Sequence, residues 1–215
     1  VIIDDTWSSG VFFKPFDHGA DVSVIAGTKY IVGHSDVMMG MITTKDEYWQ
    51  RIRQSTSELG ANSGPDDVYL ALRGLRTIGV RMRQHHENGL KLASWLEGRP
   101  EVDRVLHPGL PSNPHHKIWK RDFTGACGLF GVVLKPYPEA ALAAMLDGLE
   151  LYGMGASWGG FESLILLTNP ATTRTIAKEL WENDGPTLRI HAGLEDVEDL
   201  IIDLEKGFER LNTTV

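Results

Sequence analysis

A single cysteine, Cys127, is all the thiol chemistry the chain holds. One thiol closes no intramolecular disulfide, and no Cys/His spacing matches a structural zinc site, so a reducing setting, the cytoplasm, is expected. Basic residues are scarce as well: 21 Lys and Arg stand against 29 Asp and Glu, a formal net charge of −8. Without a basic stripe the main source of nucleic-acid affinity is missing, and no nucleic-acid partner is expected. Nowhere does an apolar run reach the roughly 18 residues of a spanning helix, and no basic-then-apolar leader is present, so a membrane partner is not expected either. An initiator methionine is absent too. The opening VIIDDTW begins directly on an apolar strand-like triplet, from which a preceding segment, an N-terminal half of the same protein, is expected.

What the chain does have is a 42% hydrophobic content spread in periodic segments over 215 residues, the mark of a folded chain with a sizeable core. Val1–Ile3 reads as a short strand ending at Asp4 and Asp5, with TWSSG as the loop leaving it. Polar groups at a strand end stand where α/β sheets build their sites. Ala20–Ile25 and the apolar run Val37–Thr44 are further strands, and Lys45–Gly60 is helical. From Asp66, a cap candidate, Val68, Leu72, Leu75, Ile78, Met82 and His86 keep helical spacing, which predicts one long helix reaching Gly98. A helix of that length often bridges two domains, here 1–75 and 76–215. Beyond it, strands are predicted in VDRVLHPG, GLFGVVLK and TLRIHAGLE, and helices in PEAALAAMLDGLE, PATTRTIAKELWEN and EDVEDLIIDLEKGFERL. Strands interleaved with helices give an α/β or α+β arrangement.

Lys29 sits in GTKYIVGHSD, just after the apolar DVSVIAG. A lysine desolvated by apolar neighbours loses charge and becomes a nucleophile toward aldehydes and ketones. The plainer alternative is a solvent-facing lysine or one paired with Asp36. Asp4, taken alone, reads equally as a turn or cap residue. Arg189, in the apolar strand TLRIHAGLE, needs an anion: a substrate carboxylate, which its planar fork suits, or an internal acid. His85-His86 and His115-His116 are adjacent pairs whose side chains diverge on a helix, so no metal is expected. His34 and Glu162 read as structural partners, and Cys127 as a small buried residue.

The combination DDTWSSGVFFKPFDHGADVSVIAGTKYIVGHSDVMMG resembles the lysine region of the Cys/Met-metabolism family of pyridoxal-phosphate (PLP) enzymes. SWGGFESLI and TLRIHAGLED resemble two later segments of the same family. The resemblance implies an α/β fold of the aspartate aminotransferase-like type (fold type I), with part of a large domain built on a mainly parallel sheet and a smaller C-terminal α/β domain. It implies that Lys29 carries PLP covalently and acts at the substrate, that Asp4 pairs with the ring nitrogen, and that Thr28 contacts the phosphate. It implies further that Arg189 holds the substrate α-carboxylate, with Ser157 and Trp158 beside it. Two departures stand out: Asp5 where Asn is usual, and Ala26 where many members carry a phosphate-binding Ser, although some bacterial members share that Ala. Trp7, the Ser157-Trp158 pair and RGLRTIGVRMRQHHE are most similar to the bacterial members that cleave cystathionine by β-elimination, giving homocysteine, pyruvate and ammonia. Cleavage or replacement at the γ-carbon, a general cysteine-conjugate β-lyase, and a non-catalytic module of the same fold are the alternatives. A homotetramer, a dimer of dimers that share sites, is the assembly the resemblance implies.

Overall fold

A computed structural model describes residues 1–177, 179, 181 and 185–214. The first part of the chain forms a three-stranded sheet in the order β1 (Ile2–Asp4), β2 (Val22–Ala26), β3 (Gly40–Thr44). β1 and β2 run parallel, with Asp4 opposite Val24, whereas β3 is antiparallel to β2. The parallel character expected of this sheet is therefore carried by the β1–β2 pair. Two β-branched valines and an isoleucine suit β2 to its central place, where it is largely buried. Helix α1 (Asp46–Glu58) has no buried residue, and α2 (Pro65–Leu75) starts with Pro65 in its first turn after the cap residue Gly64. Asp66, expected as the cap, lies one turn position inside the helix, where its charge favours the positive end of the dipole.

The single helix expected over 66–98 is two helices, because α2 ends at Leu75 and α3 (Ile78–Glu97) starts after Thr77. The cause is local. Gly74 O turns away from the helical ladder to accept from Thr77 N (3.0 Å), Thr77 Oγ1 (3.2 Å) and the Arg81 guanidinium (2.8 Å). Apolar spacing runs in phase across the break, so periodicity alone reads it as continuous.

After α3 comes a five-stranded sheet in the order β4 (Val102–Leu106), β5 (Leu129–Leu134), β8 (Thr187–His191), β7 (Ser163–Thr168), β6 (Tyr152–Gly153), antiparallel except for the β6–β7 pair. Helices α3, α5 (Glu139–Asp147) and α7 (Val197–Thr213) cover one face with a core that includes Leu96, Met145, Ile190, Leu204 and Phe208. The Asp196 side chain caps α7 by accepting from Glu198 N. Within β8, Leu188 and Ile190 enter this core, so strand alternation turns Arg189 and His191 to the other face.

The strands β6 and β7 and the short helix α4 (His116–Asp122) were not among the predicted elements. β7 overlaps the end of the motif SWGGFESLI, to which no element was assigned, and its apolar run Leu164–Leu167 carries no alternation. The helix expected over 170–183 is helical over α6 (Pro170–Thr173), and residues 178, 180 and 182–184 lie outside the described residues. A cluster of Tyr30, Met82, Cys127 and Leu129, with Ile78 and Trp158 against it, joins the two parts of the chain.

Candidate active site

Because β1 and β2 are parallel, their carboxyl ends open at the same edge, and that edge brings Asp4 and Lys29 into one neighbourhood. Thr6 fixes the Asp4 carboxylate: Oδ1 accepts from Thr6 N (2.9 Å) and Thr6 Oγ1 (2.6 Å), while Thr6 Oγ1 itself accepts from Ala26 N (2.9 Å) at the end of β2. Oδ2 of Asp4 keeps its acceptor capacity, with no hydrogen-bond partner among the described residues. The turn reading and the functional reading of Asp4 are thus compatible, since the turn aims one oxygen and leaves the other.

Lys29 follows β2 in a tight turn closed by Lys29 N to Ala26 O (3.0 Å), Val32 N to Gly27 O (3.0 Å) and Gly33 N to Lys29 O (2.8 Å). Gly33 has φ +72°, and a side chain there would overlap the Arg81 guanidinium. Arg81 donates to Tyr30 O (2.7 Å) and Ile31 O (3.1 Å), so a buried cation anchors the turn to the α2–α3 break. The half-buried Lys29 Nζ donates to Ser157 Oγ (2.8 Å) and lies 5.1 Å from the Trp158 ring centroid. Burial, reinforced by the positive charge of Arg189, lowers the Lys29 pKa. Lys29 pairs with neither Asp36 nor any other acid among the described residues.

Ser157 and Trp158 belong to a loop lying across the face of β8 that carries Arg189 and His191. Arg189 Nη2 donates to Ala156 O (2.7 Å) and weakly to Gly155 O (3.4 Å), which leaves Nε and Nη1 available for an anion. Trp158 packs edge-on against Trp7 at 6.0 Å, so the two tryptophans singled out in the sequence are neighbours. Gly159 has φ +86°, and a Cβ there would come within 3.0 Å of Lys29 Cα and Cβ, so only glycine lets the loop rest on the lysine backbone.

Thr28 is placed differently from the other predicted residues. Its hydroxyl accepts from Met39 N (2.9 Å) and donates to Met39 O (3.2 Å), bracing the turn against the start of β3. Contact with a phosphate oxygen requires that hydroxyl proton to leave Met39 O. Asp5, beside Asp4, is buried at 4% exposure and accepts from Gly10 N (2.8 Å); burial, with a further push from Asp4, raises its pKa.

A pyridinium cofactor needs an amine of depressed basicity for its aldehyde and a carboxylate for its ring nitrogen. Lys29 and the free oxygen of Asp4 meet both requirements, and the fit is sound at that end. For the phosphate, the expected contact is Thr28, whose hydroxyl is engaged with Met39, and Ala26 has no hydroxyl to add.

Two groups in this neighbourhood went unassigned in the sequence. His191 accepts from Gly159 N at Nε2 (3.0 Å) and donates from Nδ1 to Glu162 O (3.1 Å). Glu195 accepts from Ser163 N (2.7 Å) and Oγ (2.9 Å). Glu162, read as a structural partner, serves through its carbonyl, while its buried Oε2 has no partner among the described residues. Among the other histidines, His34 bonds Val32 O, His85 donates to Ala192 O, and His86 accepts from Ala126 N.

Comparison with known proteins agrees with this arrangement. The family model described as Cys/Met metabolism PLP-dependent enzyme matches residues 1–209. A putative cystathionine β-lyase of Rhizobium johnstonii is 50% identical over 212 residues, covering 97% of this chain and 53% of the relative. Cystathionine β-lyase MetC of Escherichia coli K12 is 49% identical over 214 residues, covering 98% and 54%. The crystal structure of cystathionine γ-synthase from Xanthomonas oryzae pv. oryzae in complex with cystathionine superposes with a TM-score of 0.90 at 37% identity, covering 100% of this chain and 56% of that one. The chain spans about half the length of the curated relatives it matches.

Proposed function

The chain belongs to the Cys/Met-metabolism PLP-dependent enzymes, and on that premise we propose that it carries the lysine and carboxylate-binding part of a carbon–sulfur lyase. The proposed reaction is β-elimination of L-cystathionine to homocysteine, with water hydrolysing the remaining three-carbon fragment to pyruvate and ammonia. What carries the reading is the meeting, across 128 residues of sequence, of Lys29 Nζ with Ser157 Oγ, beside an arginine close enough to depress the lysine pKa. Identities of 49–50% to proteins named as β-lyases support the β-carbon as the site of cleavage. The likeness to a γ-synthase supports the runner-up, reaction at the γ-carbon.

Bound PLP supplies the electron sink for the pair left at the substrate α-carbon. Asp4, aimed by Thr6, holds a proton at the ring nitrogen and so keeps the ring electron-withdrawing. Lys29 in its neutral form accepts the proton from the α-carbon, and burial, with the charge of Arg189, lowers its pKa in the direction that favours that form. As an ammonium it is then the acid that protonates the departing sulfur. Arg189 binds the α-carboxylate with the donors not engaged by the 155–156 carbonyls, and Ser157 and Trp158 close the side of the site next to Lys29. Thr28 and residues outside this chain complete the phosphate contacts.

The same proposal treats 1–75 as the end of the cofactor-binding domain and 76–215 as the small domain. It places the assembly in the cytoplasm as a homotetramer of paired dimers. The full-length polypeptide loaded with PLP is expected to show a near-visible absorption band bleached by borohydride, and to release pyruvate from cystathionine. Release of 2-oxobutyrate in its place moves the assignment to the γ-carbon, and absence of both band and product refutes it. Lys29→Ala is expected to abolish turnover with the fold retained by circular dichroism; a variant that still turns over removes Lys29 from its role.

A further inference from the structure

We propose that His191 is the positioning residue that presents Ser157 and Trp158 to Lys29, an inference that rests on the lyase reading of the site. β8 turns Arg189 and His191 to the same face two residues apart, and the 155–163 loop lies across them. Arg189 ties the loop at Ala156 O, His191 at Gly159 N and Glu162 O, and Glu195 at Ser163. Ser157 and Trp158 are the two residues between the first and second ties. Loosening the His191 tie frees the loop on one side of them.

The His191 bridge requires a particular protonation state. Nε2 accepts from an N–H while Nδ1 donates to a carbonyl, so the ring is neutral with its hydrogen on Nδ1. An imidazolium would turn a donor toward the Gly159 N–H. With 1% exposure the ring is cut off from solvent, and burial, with the nearby His85 and further contributions from Arg189 and Lys29, depresses its pKa to about 3. His85 packs against it at 5.2 Å and Tyr30 at 6.0 Å, which holds the ring plane. The loop also has no slack against the lysine, since Gly159 sits directly on Lys29 Cα and Cβ. A displaced Gly159 therefore displaces Ser157 Oγ from Lys29 Nζ. Both ring nitrogens are committed, so His191 has no proton to exchange with substrate and acts through the loop.

Two variants of the full-length enzyme separate the ties. His191→Gln sets an amide oxygen where Nε2 stood and retains the acceptor for Gly159 N; His191→Asn is shorter and retains only the donor to Glu162 O. In His191→Asn, amide hydrogen exchange in the peptide spanning 156–163 is expected to rise about tenfold or more, and kcat to fall on the order of 10²-fold with KM little changed, as for a reacting group moved by about 1 Å. After removal of the cofactor, the pH profile of Lys29 acylation, read by mass spectrometry, is expected to move to higher pH in the same variant. His191→Gln is expected to stay near the parent in all three measurements. The proposal is overturned if exchange and Lys29 acylation in His191→Asn match the parent, or if the loop opens while Lys29 acylation does not move. If His191→Asn gives no folded protein, His191→Gln decides: loop protection and Lys29 profile both retained support the proposal, and one moving without the other overturns it. Failure of the lyase reading appears separately, as absence of pyruvate from the unaltered enzyme, and leaves the exchange and acylation measurements to judge His191.

Discussion

Asp5 shows how much a single residue's surroundings alter its meaning. Beside Asp4, at a position where the family resemblance implied Asn, it reads as a tolerated replacement; in the fold it is a buried acid whose pKa is raised above the ordinary 3.8, first by burial and then by Asp4. The sign of the linkage follows. Ionisation costs more in the folded state than in the unfolded one, so Asp5 subtracts stability at neutral pH, and the penalty disappears as pH falls toward 3.8. Asp5→Asn, uncharged throughout, is expected to have a higher Tm than the parent at about pH 7 to 8, with the gap closing toward pH 4. A Tm difference that does not vary with pH would show that the carboxyl charge is not what burial penalises. At this scale Lys29, Asp4, Arg189, Ser157 and Trp158 could be singled out as candidates because each stands in a contiguous motif. His191 stands in one as well, but its partners are Gly159 and Glu162, 32 and 29 residues away, and no local pattern reports such a contact.

The α2–α3 break marks the limit of periodicity as a guide to elements. Apolar spacing specifies which side of a helix is buried, and both helices obey it; it carries nothing about where carbonyls leave the ladder. That is decided by Arg81, which spends its donors on Tyr30 O, Ile31 O, Gly74 O and the Thr77 hydroxyl. A cation without a carboxylate is tolerable there because the carboxyl end of α2 presents partial negative charge. Arg81→Met keeps much of the side-chain volume and strips the carbonyls of their donors, so a loss of about 3 kcal/mol in urea unfolding is expected. An unchanged unfolding midpoint would mean that water replaces the guanidinium freely. Gly74 is needed at the same point, since a side chain there would overlap Ile31 O and Val32 O. β7 was missed for the opposite reason: both of its faces carry leucine or isoleucine, and a continuous apolar run gives no alternation to read.

For the whole molecule, the joint between its two parts matters most, because Lys29 and Asp4 come from the first sheet while Ser157, Trp158 and Arg189 come from the second part. Met82, fully buried among Tyr30, Cys127 and Leu129, is central to that joint. Met82→Ala is expected to cost about 3 kcal/mol. Because the cluster packs under Lys29, Lys29 acylation is expected to speed up well below the unfolding midpoint. Coincident loss of fold and of Lys29 protection would instead show that the two parts unfold as one. Taken alone, the sequence determined the α/β class, the lysine turn, the acid at the strand end and the arginine strand, because each follows from side-chain chemistry within a few neighbouring residues. The tertiary structure alone decided that the Lys29 amine meets the Ser157 hydroxyl, that His191 and Arg189 share a face of β8, and that Asp5 is buried. Those facts depend on which distant backbones pack together, and packing is settled by summed burial and hydrogen bonding over the whole chain.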